Sequence, residues 1–187
     1  MKREFYDRAV KKVAKELLGK MLIHQTPEGI TKGIIVETEA YYGDKDPASH
    51  AYGGKRTPRN EVMWGPPGYA YVYFTYGMHY MLNVVTGKKN SARAVLIRAV
   101  KPIEGIELMK KRRRDLKNLT NGPARLTQAF GITRKENGAD LVNSDLRIGE
   151  GMKAKFDIVS TTRIGIKEGK SKKLRFYIKD NRFVSKL

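Results

Sequence analysis

Ile34-Ile-Val-Glu-Thr-Glu-Ala-Tyr41 is a run of strand-forming residues broken by two glutamates at alternate positions. A strand points successive side chains to opposite faces, so Ile34, Val36, Thr38 and Ala40 share one face, and Ile35, Glu37, Glu39 and Tyr41 the other. On the second, the strand rise puts the two carboxylates about 6.5 Å apart. Neighbouring like charges raise the apparent pKa of at least one of them unless a cation intervenes. Arg98, inside the otherwise apolar Ala94-Val-Leu-Ile-Arg-Ala-Val100, is a candidate for that cation, because an arginine buried in such surroundings is normally paired. Two readings stand open on these residues: a bridge that only ties strands together, or a carboxylate kept ionised to activate water.

Working outward, this strand is expected over residues 30–42, paired with a strand over 20–25 across a Pro27-Glu28-Gly29 turn. Asp7 is placed to cap a preceding helix whose apolar positions are Val10, Val13, Leu17 and Leu18, with Gly19 ending it. Residues 43–68 carry Gly, Pro and charge with almost no aliphatic residues, the composition of a long ordered loop with a function. Residues 69–76 and 81–86 read as a hairpin with Gly77 near its tip, followed by a strand over 92–100. Helices are expected over 103–114, with a cationic tail suited to a helix C-terminus, and from Pro123 to a stop at Gly131. Short strands over 156–160, 174–178 and 183–184 close the sheet. The fold class is α+β, one domain over residues 1–187.

The charge points to the partner. Lys and Arg number 38 against 19 Asp and Glu, a net charge of +19. Folding gains nothing from that excess, and a polyanion, most simply nucleic acid, is the usual reason for it. The absence of cysteine excludes disulfides, thiolate metal sites and thiol nucleophiles. His24, His50 and His79 lack ligand spacing, so no metal is expected. With no apolar run long enough to span a bilayer and no signal-peptide pattern at the N-terminus, the expected location is the cytoplasm.

Eight tyrosines, the tryptophan and two of the three histidines fall between residues 39 and 83. Aromatic faces among basic residues are what stacking of unpaired bases requires. In the first hairpin strand Ala70, Val72 and Phe74 form a core face, whereas Tyr69, Tyr71 and Tyr73 form an amphipathic stripe that suits a cleft wall or a half-exposed sheet equally. Tyr76, in Tyr76-Gly77-Met78 at the tip, is either a wedge between base pairs or a turn residue folded back on its own strand. Lys55, Arg56 and Arg59 are placed to clamp phosphates, while residues 110–114 and 167–173 read as solvated basic faces.

Together these pieces resemble the alkyladenine (3-methyladenine) DNA glycosylases of the mammalian type, a family with bacterial members. The resemblance is carried by Val36-Glu-Thr-Glu-Ala-Tyr41, by His50 with Gly53-Gly54 and Thr57-Pro-Arg-Asn60, and by Tyr71-Val-Tyr73 with Tyr76-Gly-Met78. It continues colinearly through Asn83, Val95-Leu-Ile-Arg98, Gly122-Pro123 and Leu174-Arg-Phe-Tyr-Ile178. It implies a largely antiparallel curved sheet with flanking helices and a protruding DNA-binding hairpin. It further implies that Glu39 is the general base toward water and that Arg98 helps hold that water. Tyr41, His50 and Tyr73 would sandwich and hydrogen-bond a flipped base, and Asn83 would discriminate against the guanine 2-amino group. Tyr76, with Met78 beside it, would fill the vacated stack, while Lys55, Thr57 and Arg59 would meet the DNA backbone. Glu37 is then the structural carboxylate. Two departures stand out: Trp64 replaces a common phenylalanine, and the chain lacks the N-terminal extension of animal members.

The implied activity is a monofunctional N-glycosylase on alkylated or deaminated purines in duplex DNA, without cofactor and acting as a monomer. Extruding a base costs a few kcal/mol that damage or mispairing reduces. An alkylated purine leaves as a cation and needs no proton, so one carboxylate suffices where most sugar hydrolases use two. No lysine of the motif set is placed to form a Schiff base. The alternative is a non-catalytic nucleic-acid-binding module.

Overall fold

The computed structural model describes residues 1–113 and 117–186. The glutamate-bearing strand, β2 (Gly29–Tyr41), is the spine of the sheet. Along one edge it pairs with β5 (Arg93–Glu104). The other edge is shared: β1 (Met21–Thr26) takes Gly29–Ile34, and β8 (Arg175–Ile178) takes Glu37–Glu39. β3 (Ala70–Thr75) and β4 (His79–Thr86) form the hairpin, with β4 against β5. β6 (Leu146–Gly149) extends the sheet beyond β1, and β7 (Ile158–Thr161) lies on β8. All these pairings are antiparallel. Register shifts in the β2–β5 ladder, on both sides of Glu37, bend and twist the strand there, and the sheet curls into a half-barrel. The α+β class stands.

Helix α1 (Val10–Glu16) buries Val10, Val13 and Ala14 against the sheet, and the Thr38 hydroxyl donates to the Ala14 carbonyl at 2.8 Å. Helix α3 (Pro123–Phe130) buries Leu126, Ala129 and Phe130 and stops at Gly131, whose φ is +67°. His24 Nδ1 donates to the Phe130 carbonyl at 2.7 Å, so this buried histidine ties a helix end to β1. Helix α2 (Ile106–Arg113) buries Met109. A second, smaller cluster, with Ala51, Met63, Tyr71 and Ala94 among its members, holds the loop over residues 43–68 against the sheet.

Several sequence expectations need correction. Asp7 does not cap α1: the N-cap is Ala9 and no side chain caps it, because the fully buried Tyr6 anchors the entering chain. β5 runs on to Glu104 and absorbs Ile103, and α2 begins only after Gly105. Gly105 has φ +75°, and a Cβ there would lie 2.2 Å from the Ile30 carbonyl oxygen, so the break falls where only glycine fits. Ile103 and Ile106 are exposed; Arg114, the end of the expected helix, lies outside the described residues. Phe74 is not a core residue but 46% exposed, since the hairpin has left the sheet by that point. Residues 183–184 form no strand. β6, a four-residue strand, was not anticipated.

Candidate active site

A cavity of about 310 Å³ opens between the hairpin base, β5, the 43–68 loop and the segment after β7. Six of the anticipated residues line it: Tyr41, His50, Tyr73, Tyr76, Asn83 and Arg98. Thr75 and Met81 line it too.

Glu39 lies directly beneath the lining. It is fully buried, and three cavity residues grip its carboxylate. Oε1 accepts from the Ile164 backbone N–H at 2.7 Å and faces Arg98 Nη1 at 3.3 Å; Oε2 accepts from the Tyr41 hydroxyl at 2.8 Å. Burial pushes its pKa above the ordinary carboxylate value, opposed by Arg98, the Ile164 amide and the Tyr41 hydroxyl. A carboxylate offers about four lone-pair positions, so these three donors leave one unfilled. Burial, with the adjacent Glu39 charge adding to it, raises the Tyr41 pKa well above the phenol range, so Tyr41 is a donor at neutral pH.

Glu37 is satisfied differently. Its Oε1 accepts from Arg98 Nε at 3.0 Å, Arg175 at 2.9 Å and the Ser185 hydroxyl at 2.9 Å, and its Oε2 accepts from the Ser185 N–H at 2.7 Å. Arg98 thus bridges both carboxylates, as the strand pattern allowed, and keeps its proton under their combined charge despite burial.

The aromatic wall is ordered by the loop. Buried Asn60 accepts from the Thr57 N–H and donates to the His50 and Lys55 carbonyls. His50 is carried to the cavity rim, where its Nδ1 and the Tyr71 hydroxyl share a 2.8 Å hydrogen bond and its ring meets Tyr73 edge-on at 4.6 Å. Desolvation, then the Arg59 charge, lowers the His50 pKa, which keeps the imidazole neutral at pH 7. Burial pushes Tyr73 up to about 12. Asn83 donates to the Tyr71 carbonyl at 3.1 Å, and its Oδ1 has no partner among the described residues.

Of the other anticipated residues, Met78, Lys55, Thr57 and Arg59 do not line the cavity. Tyr76 and Met78 project from the hairpin tip, 79% and 70% exposed. Arg59 donates to the Phe74 carbonyl at 3.0 Å and lies 5.2 Å above the Tyr73 ring, joining loop to hairpin. Lys55 is exposed and Thr57 half-buried on the same loop.

Sequence reasoning missed the segment after β7. Arg163, buried, makes a two-pronged ion pair with buried Asp46 at 2.6 and 2.8 Å and lies 4.7 Å over the Tyr41 ring. It anchors Ile164, Gly165 and Ile166 on the cavity wall. Its partner is 117 residues away in sequence, so no local pattern could have announced it.

Residues 4–182 match the family described as methylpurine-DNA glycosylase, which sets the class of the protein: a DNA glycosylase, a hydrolase of alkylated-base repair. Relatives agree over nearly the whole chain. A protein of Clostridium acetobutylicum provisionally named 3-methyladenine DNA glycosylase is 50% identical, covering 99% of this chain and 97% of its own. A second with the same name, from Carboxydothermus hydrogenoformans, is 53% identical over 98% and 97%. The chain belongs to the methylpurine-DNA glycosylase family.

Proposed function

We propose that the protein hydrolyses the N-glycosidic bond of flipped-out alkylated or deaminated purines in duplex DNA, of the 3-methyladenine, 7-methylguanine, hypoxanthine and ethenoadenine class. The observation that carries the reading is the Glu39 carboxylate, buried beneath an aromatic cavity with three donors on it and one of its roughly four lone-pair positions unfilled. That remaining position holds the attacking water; Glu39 takes its proton, and Arg98 keeps the carboxylate ionised and the water oriented. The base stacks among Tyr41, His50 and Tyr73, with the Asn83 amide against the purine edge that carries a 2-amino group in guanine. Tyr76 and Met78 fill the gap in the duplex, and Lys55, Thr57 and Arg59 hold the backbone. No lysine of this set lines the cavity, where it could form a Schiff base, so the enzyme leaves an abasic site and has no lyase activity. It works as a monomer, without cofactor, on the DNA of a bacterial cytoplasm.

Single-turnover base release from duplexes carrying hypoxanthine or 1,N6-ethenoadenine, and from methylated DNA, tests this. Glu39→Gln should retain lesion binding and lose release by about 10²- to 10⁴-fold, the worth of a positioned general base. Tight binding by the wild type with no release from any substrate would make the protein a binding module instead.

A further inference from the structure

Both groups that grip Glu39 Oε1 trace back to one buried side chain outside the cavity. Arg175 opens β8, directly opposite Glu39 in the β2–β8 ladder and opposite Thr161 in the β7–β8 ladder. It is 5% exposed and its guanidinium does three things. It donates to Glu37 Oε1 at 2.9 Å, to the Thr162 carbonyl at 3.0 Å and to the Lys186 carbonyl at 2.7 Å. Through Glu37 it fixes Arg98, whose Nε shares the same carboxylate oxygen while its Nη1 faces Glu39. Through Thr162 it fixes the start of the segment that delivers the Ile164 N–H to Glu39. The Lys186 bond, with the two bonds from Ser185 to Glu37, closes the chain end over the assembly.

We propose that Arg175 is a positioning residue for the Glu39 carboxylate, with Glu37 and Ser185 completing its frame. This inference rests on the general-base reading of Glu39. The geometry argues against a mere strand tie. Such a tie needs one carboxylate partner, whereas this guanidinium divides its bonds among three segments, and two of these bonds lead, through Arg98 and through Ile164, to the same oxygen of Glu39. Arg98 and the Ile164 amide are also two of the three groups, with the Tyr41 hydroxyl, that oppose the burial-driven rise of the Glu39 pKa.

Arg175→Lys keeps the charge but replaces the rigid fork by a point donor that cannot serve all three acceptors in the same geometry. The sign is fixed: looser contacts from Arg98 and Ile164 leave the burial effect less opposed, so Glu39 ionises at higher pH. The acid limb of the single-turnover pH–rate profile should move upward. The rate at neutral pH should fall on the order of 100-fold, as for a small misplacement of a reacting group, with the Kd for lesion DNA nearly unchanged. Ser185→Ala, which removes only a hydroxyl, should shift the limb the same way by less, and it serves if Arg175→Lys fails to fold. A wild-type rate and limb in a folded Arg175→Lys, or in Ser185→Ala should Arg175→Lys not fold, would overturn the positioning role. Glu39→Gln separates the two readings. If it releases base as fast as the wild type, the general-base reading itself falls; if it is inactive while the frame variants behave as wild type, only the frame is wrong.

Discussion

At the scale of the residue, Glu39 is held at a cost. Burial penalises its ionised form more than the surrounding donors repay, so its folded-state pKa lies above the ordinary value of 4.5. The folded state therefore binds this proton more tightly than the unfolded chain. Stability falls as pH rises from the unfolded to the folded pKa and stays reduced above both. Glu39→Gln, which removes the charge and keeps the shape, should melt at a higher temperature than the wild type at pH 8, with the gap closing as pH falls below 4.5. Thermal unfolding of both proteins across that range checks it; equal melting temperatures throughout would mean the neighbouring donors cancel the cost.

At the scale of the element, the hairpin carries its own strain. Tyr76 and Gly77, the central residues of the turn over residues 75–78, have φ of +52° and +68°, and the Met78 N–H donates to the Thr75 carbonyl at 3.3 Å. Glycine takes this conformation freely, but a bulky side chain there costs about 1–2 kcal/mol. The 79% exposed ring recovers none of it by packing. Folding alone would favour Asn at this position. Tyr76→Asn should raise the melting temperature, and Tyr76→Ala should leave stability within about 0.5 kcal/mol. Both should weaken lesion-duplex binding by about 1–3 kcal/mol, the worth of one stacked aromatic. Calorimetry and binding titrations measure the two effects separately, and a collapse of the melting temperature would show the ring to be structural.

At the scale of the whole molecule, the net charge of +19 sets how DNA is approached. Each phosphate contact releases counterions, so affinity falls steeply with salt: by about 10³–10⁵ between 50 and 200 mM if 6–10 phosphates are engaged. Binding to lesion and to undamaged DNA should weaken in parallel, because backbone contacts carry no sequence information. Single-turnover release from a saturated complex should change little, since the Glu39 carboxylate and its Arg98 partner are buried and poorly screened. A release rate that falls as steeply as affinity would place the salt-sensitive contacts in the chemical step.

What could be read without coordinates is local in origin. Alternation along β2 set Glu37 and Glu39 on one face and made Arg98 a partner. The turn residues placed the hairpin, and Pro123 and Gly131 bracketed α3, because strand period, turn chemistry and capping act over a few residues. The resemblance then separated Glu39 from Glu37, which periodicity could not do. Packing overrode local pattern at Asp7, Ile103 and Phe74, where a buried tyrosine, a longer ladder and a hairpin leaving the sheet decided the outcome. Only the tertiary structure decided who holds the carboxylates. Ile164 reaches Glu39 across 125 residues, Arg175 reaches Glu37 across 138 and Ser185 reaches it across 148. Such partners are chosen by sheet register and by where a loop is pinned, and neither leaves a periodic trace in the residues themselves.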